Sequence, residues 1–353
     1  MTNRERFRQT LFRQPVDRIT WCETSFWPET RARWEKEGLP AGMEPIKYFD
    51  LDTIETMSFD NSFGLPQETL EKTNEYVILR DGNGVTKKQW KGRLGASHEM
   101  DYTLKTKADW KRMREQLVVD RSRIPAGMAE DLKQRQNNDV FVCISPRDPC
   151  WFFITAMGYD RLLMRMASEP EWVREMFEVY TDFHIGMCEL CVSEGMRFDG
   201  HWMSSDLCYK NGMLFSPTMF REFLTPLHRR IKQFCREADI PMLLHCDGSV
   251  GQLIPLLIEI GYDAVQPLEA RAGNDVREYK KLYGTQICFF GNISADVMAT
   301  TKGAIEEEVR TKLLAAKQGG GYIYHSDHSI PPGVPFENYA CVIELVKRYG
   351  ACP

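Results

Sequence analysis

The sequence predicts an α/β protein built as a (β/α)8 TIM barrel with an N-terminal extension and an inserted β-hairpin. Three observations carry that expectation. Eight short, β-rich apolar runs each end in polar or acidic residues. After residue 139 these runs alternate regularly with helical stretches, the order of a parallel sheet rather than a sandwich. The later runs are almost continuously apolar, as strands covered on both faces must be.

The runs are Arg18–Glu23, Thr53–Phe59, Val140–Ser145, Arg197–Ser204, Met242–Asp247, Asp263–Leu268, Gln286–Gly291 and Tyr322–Ser326. Eight is the number the barrel requires. Between them, Pro170–Ser193 is amphipathic and opens with proline after Ser168-Glu169, a helix start signal. Ser216-Pro217-Thr218 caps a helix over Met219–Ala238. Asn274-Asp275 begins one that ends near Gly284, and Ala295–Gly319 carries another. The region from about 61 to 138 departs from the pattern. Tyr76–Arg80 and Val85–Trp90 flank Asp81-Gly82-Asn83-Gly84 and read as a β-hairpin, followed by a linker plus helix over Asp109–Arg135. Residues 1–353 are therefore read as one domain with an insertion that covers the barrel mouth; a separate small domain is the alternative.

Composition narrows the function. The chain has 353 residues, 43% hydrophobic and 27% charged, with a formal net charge of −5. That is ordinary globular composition. The mild acidity argues against nucleic acid as the main partner, which needs a basic excess or stripe. No apolar stretch reaches the roughly 20 residues that span a bilayer. The polar start Met1-Thr2-Asn3-Arg4-Glu5-Arg6 has no apolar signal core. The 11 cysteines follow no repeating spacing and are read as reduced thiols of a cytoplasmic protein, most of them small core hydrophobes.

In such barrels the active site lies at the C-terminal strand ends. Those ends supply Glu23, Asp60, Arg147 with Asp148, His201 with Asp206, His245-Cys246-Asp247, Glu269, Asn292, and His325 with Asp327 and His328. Convergence at one rim gives them weight together. In Leu243-Leu244-His245-Cys246-Asp247-Gly248 an apolar strand runs into an imidazole, a thiol and a carboxylate. His245 and Asp247 share one face by the two-residue alternation. Gly248 permits a tight turn. Zinc accepts these ligand types, and three protein ligands with an open fourth position is its catalytic pattern. His328, or His325 from the alternate face, is the expected third. The plain reading is a hydrogen-bonded pair that holds the loop without metal. Phe26, Trp27, Trp151, Phe152 and Phe153 follow strand ends and are candidates for a substrate pocket, with Tyr209; ordinary loop packing is the alternative. Arg147 suits an anionic group or a neighbouring carboxylate equally. Cys188-Glu189-Leu190-Cys191 lacks the second pair that a structural zinc site needs and reads as core. There is no G-x-S-x-G, P-loop or G-x-G-x-x-G.

At these residues the chain resembles the uroporphyrinogen decarboxylase superfamily over nearly its whole length. The resemblance rests on Asn3-Arg4-Glu5-Arg6-Phe7 with Gln14-Pro15-Val16-Asp17-Arg18, on Asp206 with Lys210-Asn211-Gly212 and Ser216-Pro217, and on His245-Cys246-Asp247-Gly248. It continues through Pro267-Leu268-Glu269-Ala270-Arg271-Ala272-Gly273 and Gly291-Asn292-Ile293. The most specific match is Gly319-Gly320-Gly321-Tyr322 with Asp327-His328-Ser329-Ile330-Pro331-Pro332-Gly333-Val334-Pro335-Phe336-Glu337-Asn338. The resemblance implies the same barrel. It also implies one of two chemistries: cofactor-free decarboxylation of a porphyrinogen, or zinc-dependent methyl transfer with a corrinoid protein.

Decarboxylases of the superfamily carry an Arg-rich stretch near the first strand. Here it reads Trp21-Cys22-Glu23-Thr24-Ser25-Phe26-Trp27-Pro28-Glu29-Thr30-Arg31, and a multiply carboxylated substrate gains little from Glu23 and Glu29. The methyltransferases bind zinc through a His-x-Cys pair and a later Cys. By resemblance His245 matches the first ligand, Asp247 stands in place of the Cys and His328 near the last Cys; Cys246 is the alternative to Asp247. Harder ligands suit an ether or hydroxyl oxygen better than a thiol. The expectation is a zinc-dependent methyltransferase component that acts with a corrinoid protein on an O-methyl, methoxy-aromatic substrate. Its metal residues are His245, Asp247, Cys246 and His328. Glu23, Asp206, Glu269 and Asn292 serve catalysis, and Phe26, Trp27, Arg147, Trp151 and Tyr209 hold the substrate. A decarboxylase is the alternative, a non-catalytic tetrapyrrole- or corrinoid-binding barrel the third reading, and a homodimer one candidate assembly.

Overall fold

A computed structural model describes residues 1–91 and 97–351. The barrel strands are β1 Thr20–Trp21, β2 Ile54–Met57, β3 Phe141–Ile144, β4 Gly200–Ser204, β5 Met242–His245, β6 Ala264–Gln266, β7 Cys288–Phe290 and β8 Tyr322–Tyr324. Each lies inside one of the eight runs expected from sequence. All neighbours pair in parallel, in the order β1-β8-β7-β6-β5-β4-β3-β2. A parallel bridge between Cys22 and Asp52, with the Asp52 amide donating to Trp21 O at 2.9 Å, joins the two ends of the sheet.

The barrel is filled from inside by a cluster that includes Ile54, Phe141, Trp202, Leu243, Phe290 and Ile323. A larger core lies between the strands and the surrounding helices. The N-terminal helix Asn3–Leu11, opened by a Thr2–Glu5 capping box, inserts Phe7 and Leu11 into the inner cluster. Asn3 Nδ2 donates to Thr53 O and Asp139 O, at the entry points of β2 and β3. The extension thus plugs the end of the barrel away from the strand C-termini.

The helix Pro170–Ser193 has the predicted limits. Two other predicted helices are broken. Met219–Ala238 divides into Pro217–Phe223 and Thr225–Glu237, because Pro226 has no amide hydrogen to continue the ladder. Ala295–Gly319 divides into Ala295–Met298 and Lys302–Ala316, where the Thr301 hydroxyl accepts from Ala304 N and starts a new helix. Buried Lys232 pairs with Asp263 at 2.5 Å, and Asp263 also accepts from Met242 N at 2.8 Å, fixing the start of β5 against β6.

The predicted hairpin forms and gains two strands, giving an antiparallel sheet Glu68–Lys72, Tyr76–Arg80, Val85–Trp90, His98–Tyr102. The region expected to be linker plus helix holds two helices, Lys107–Met113 and Met128–Asn137. Phe63 packs on Phe152 with ring centroids 5.2 Å apart, Trp110 on Phe153 at 5.6 Å, and Arg161 lies over Tyr102. These aromatics bind the insertion to the helices after β3. No described helix is long and apolar enough to cross a membrane.

Candidate active site at the strand C-termini

Strand register sets the site. His245, the last residue of β5, pairs with Ser204 on β4 and Gln266 on β6, so the three side chains stand at one level. Beyond it the chain turns sharply at Gly248, whose φ is +86° and where an added Cβ would lie 2.7 Å from Tyr209 O. The turn carries Asp247 back beside Asp206, whose Oδ1 accepts from Asp247 N at 3.3 Å. Ligand atoms of Asp206, His245 and Asp247 lie within 4.8 Å of one another. His245 and Asp247 border a cavity of about 590 Å³, also lined by Thr24, Ser145, Trp202, Ser204, Gln266 and His328.

The imidazole of His245 is oriented by its neighbour. Its Nδ1 lies 2.6 Å from Gln266 Oε1. An amide oxygen only accepts, so Nδ1 carries the proton and the Nε2 lone pair is free. Nε2 faces Asp206 Oδ1 at 3.8 Å. Asp247 Oδ1 is buried without a hydrogen-bond partner. Burial, with Asp247 and Glu269 nearby, raises the pKa of Asp206 although His245 opposes this. An orphaned carboxylate oxygen, a second carboxylate beside it and a free imidazole lone pair are a donor set that fits a divalent cation. Gln266→Leu should weaken metal binding at this set about 10- to 100-fold, the cost of losing a hydrogen bond that orients a ligating histidine. Competition with a chelator measures it, and unchanged affinity would show that Gln266 does not set the tautomer.

A second group lies behind the cavity wall. Glu23 is 1% exposed, and burial raises its pKa to about 8. Its Oε1 lies 3.0 Å from His325 Nε2 and accepts from Ser326 Oγ at 2.6 Å. His325 Nδ1 faces the carbonyl of Ser326 and must carry the ring proton. Burial lowers this histidine to about 4, so the ring is neutral. Its Nε2 then accepts, and Thr24 N reaches it at 3.2 Å and Thr24 Oγ1 at 2.8 Å. Protonated Glu23 and Thr24 then share the single Nε2 lone pair as donors.

Other predicted residues sit elsewhere. His328 lines the same cavity as His245 and Asp247, but Asp206 completes the close triad. Cys246 is fully buried in the outer core, and burial pushes its thiol well up. Glu269 accepts from Gly248 N at 2.9 Å and from Arg271 Nε at 2.6 Å, so it braces the turn. Asn292, fully buried, spans Leu268 O, Asn274 O and Val276 N. Phe26 packs against Trp34 and Tyr339. Trp27 donates its amide to Ile330 O, and Trp151 stacks edgewise on Tyr159. Arg147 bonds Thr155 and borders a separate depression with Asp60. Tyr209 is half exposed on the turn facing Gly248. Sequence reasoning missed Gln266, Thr24 and Trp202. The usable signal was register: Gln266 ends β6 where His245 ends β5.

The sequence matches the uroporphyrinogen decarboxylase (URO-D) family over residues 103–349. The chain belongs to that family. Among curated relatives, it is 33% identical to a uroporphyrinogen decarboxylase of Legionella pneumophila strain Corby over 139 residues, 39% of this chain and 38% of the relative. It is 23% identical to a uroporphyrinogen decarboxylase of Anaeromyxobacter sp. over 198 residues, 55% of this chain and 53% of the relative. The match thus spans between about two fifths and half of these relatives' length. Among solved structures, a methyltransferase from Methanosarcina mazei shares the fold with a TM-score of 0.65 over 99% of both chains, at 16% identity. The family's barrel agrees with the closed parallel sheet seen here.

Proposed function

We propose that this URO-D family protein is a methyltransferase component that removes a methyl group from an O-methyl, methoxy-aromatic substrate and passes it to a corrinoid carried by a separate protein. The observation that carries the reading is the convergence of Asp206, His245 and Asp247, the last two lining the cavity, with Asp247 Oδ1 unpartnered. Zinc held by these residues would supply Lewis acidity toward an ether oxygen. The chain's own residues do the rest. Gln266 holds His245 with its Nε2 free. Trp202 and Pro267 offer apolar surface to a ring. The departing oxygen needs a proton, and protonated Glu23 stores one behind His325 and Thr24.

A decarboxylase of a polyacidic tetrapyrrole is less well supported. The arginine among the described cavity residues is Arg135, which is already paired with Glu55 and Asp131. The test supplies zinc-loaded protein with 2-methoxyphenol and cob(I)alamin and follows catechol. Formation faster than with cob(I)alamin alone is expected. No acceleration across a panel of methoxy-aromatics, together with release of carbon dioxide from uroporphyrinogen, would overturn the reading. The pH profile gives a second check. An acid whose pKa is raised to about 8 keeps its proton at neutrality and loses it as pH climbs. The rate should fall above pH 8, and Glu23→Gln should lower the rate about 100-fold and remove that limb. A limb that persists in Glu23→Gln belongs to another group.

A further inference from the structure

A second set of ligand-type side chains lies outside the cavity, between the long helix and the barrel wall. His184 and Cys188 are four residues apart on the helix Pro170–Ser193, hence on one face. His201 projects from β4 toward them. One ligand atom from each lies within 4.8 Å of the other two. All three are at least 99% buried. The two imidazoles meet Nε2 to Nε2 at 2.9 Å, with parallel planes.

The surroundings do not explain why these groups are polar. Both Nδ1 atoms are buried without hydrogen-bond partners. Two neutral imidazoles share one proton between their Nε2 atoms, which leaves one N–H and one lone pair unsatisfied. Apolar side chains would fill the space at lower cost. Two imidazoles and a thiol are a soft donor set, unlike the carboxylate-rich cavity set. A zinc ion with one thiolate carries a net single positive charge. His228, whose Nε2 lies 2.7 Å from Asp148 Oδ2, is the next buried imidazole beyond the pair.

We infer that His184, Cys188 and His201 supply three of the ligands of a second zinc site that ties the long helix to β4, distinct from the cavity. The site is closed to solvent, so its ion enters during folding. The test uses the full chain expressed in cobalt-supplemented minimal medium. A thiolate ligand gives a charge-transfer band in the near ultraviolet, which the Asp206–His245–Asp247 set, lacking sulfur, cannot give. We expect the band in the unmodified chain and in Cys191→Ser, and its loss in Cys188→Ser together with one equivalent of metal. Crystals of the zinc-grown protein should show an anomalous peak between the three side chains, a readout that needs no variant. Absence of that peak, or a band unchanged in Cys188→Ser, would overturn the inference whether or not the cavity binds metal.

Discussion

His245→Ala removes one equivalent of zinc from the protein and lowers methyl transfer by more than about 100-fold. Loss of a mere orienting partner of a metal ligand costs about 10- to 100-fold, and loss of the ligand itself costs more. The variant leaves Asp206 and Asp247 facing one another as two half-buried carboxylates without a cation between them. Like charges in that position raise each other's pKa, so the remaining pair binds metal weakly. Two companions divide the possible ligand sets. Asp206→Asn should lose metal nearly as His245→Ala does, because Asp206 completes the triad. His328→Gln should keep its zinc and change only turnover, since His328 lines the cavity outside the triad. Metal analysis of the three variants after dialysis decides the matter. Zinc retained by His245→Ala and lost by His328→Gln would return the third ligand to the C-terminal loop and refute the triad.

The eight strands were legible because each is short, apolar and bounded by polar residues, a local pattern. His245 and Asp247 were legible for the same reason, being two apart on one strand end. Asp206 was legible as a catalytic candidate, after β4 and within the family motif. Its pairing with Asp247 depends on the turn at Gly248, where Tyr209 backbone closes over the glycine. Gln266 gave no local signal, since its role arises from register between two strands. The state of Glu23 was beyond sequence too. A carboxylate after a strand reads as solvated, and only the return of Ser326 and Tyr339 from the far end of the chain buries it. His184 and Cys188 share a helical spacing, but His201 joins them only once the helix packs on β4. The two broken helices were local failures. Pro226 and Thr301 were both visible, and the breaks were overruled by the apolar periodicity on either side.

Gly291→Ala should destabilise the protein by about 4 kcal/mol or more, the range reserved for backbone clashes and other severe lesions. Gly291 follows β7 with φ +133°, and an added Cβ would lie 1.7 Å from Pro267 O and 2.6 Å from Pro267 C. Both obstacles are backbone, so no side chain can rotate away. Neither segment can withdraw freely. Gly291 N donates to Ile323 O at 3.1 Å, and Tyr322 Oη donates to Gly291 O at 3.2 Å. On the other side, Pro267 follows Gln266, whose carbonyl accepts from Cys246 N at 2.8 Å. The shift that relieves the clash must therefore move the end of β6, and with it the amide that orients His245. Urea denaturation should show the loss of stability. Any variant that still folds should bind metal more weakly at the cavity. Gly303→Ala, within the helix Lys302–Ala316 with open space around it, is the control and should stabilise by about 0.5 kcal/mol. A Gly291→Ala protein within 1 kcal/mol of the parent (about a fivefold change in the folding equilibrium) would mean that β7 and the β6 end can separate. The close approach of these two strand ends would then not be what holds the site.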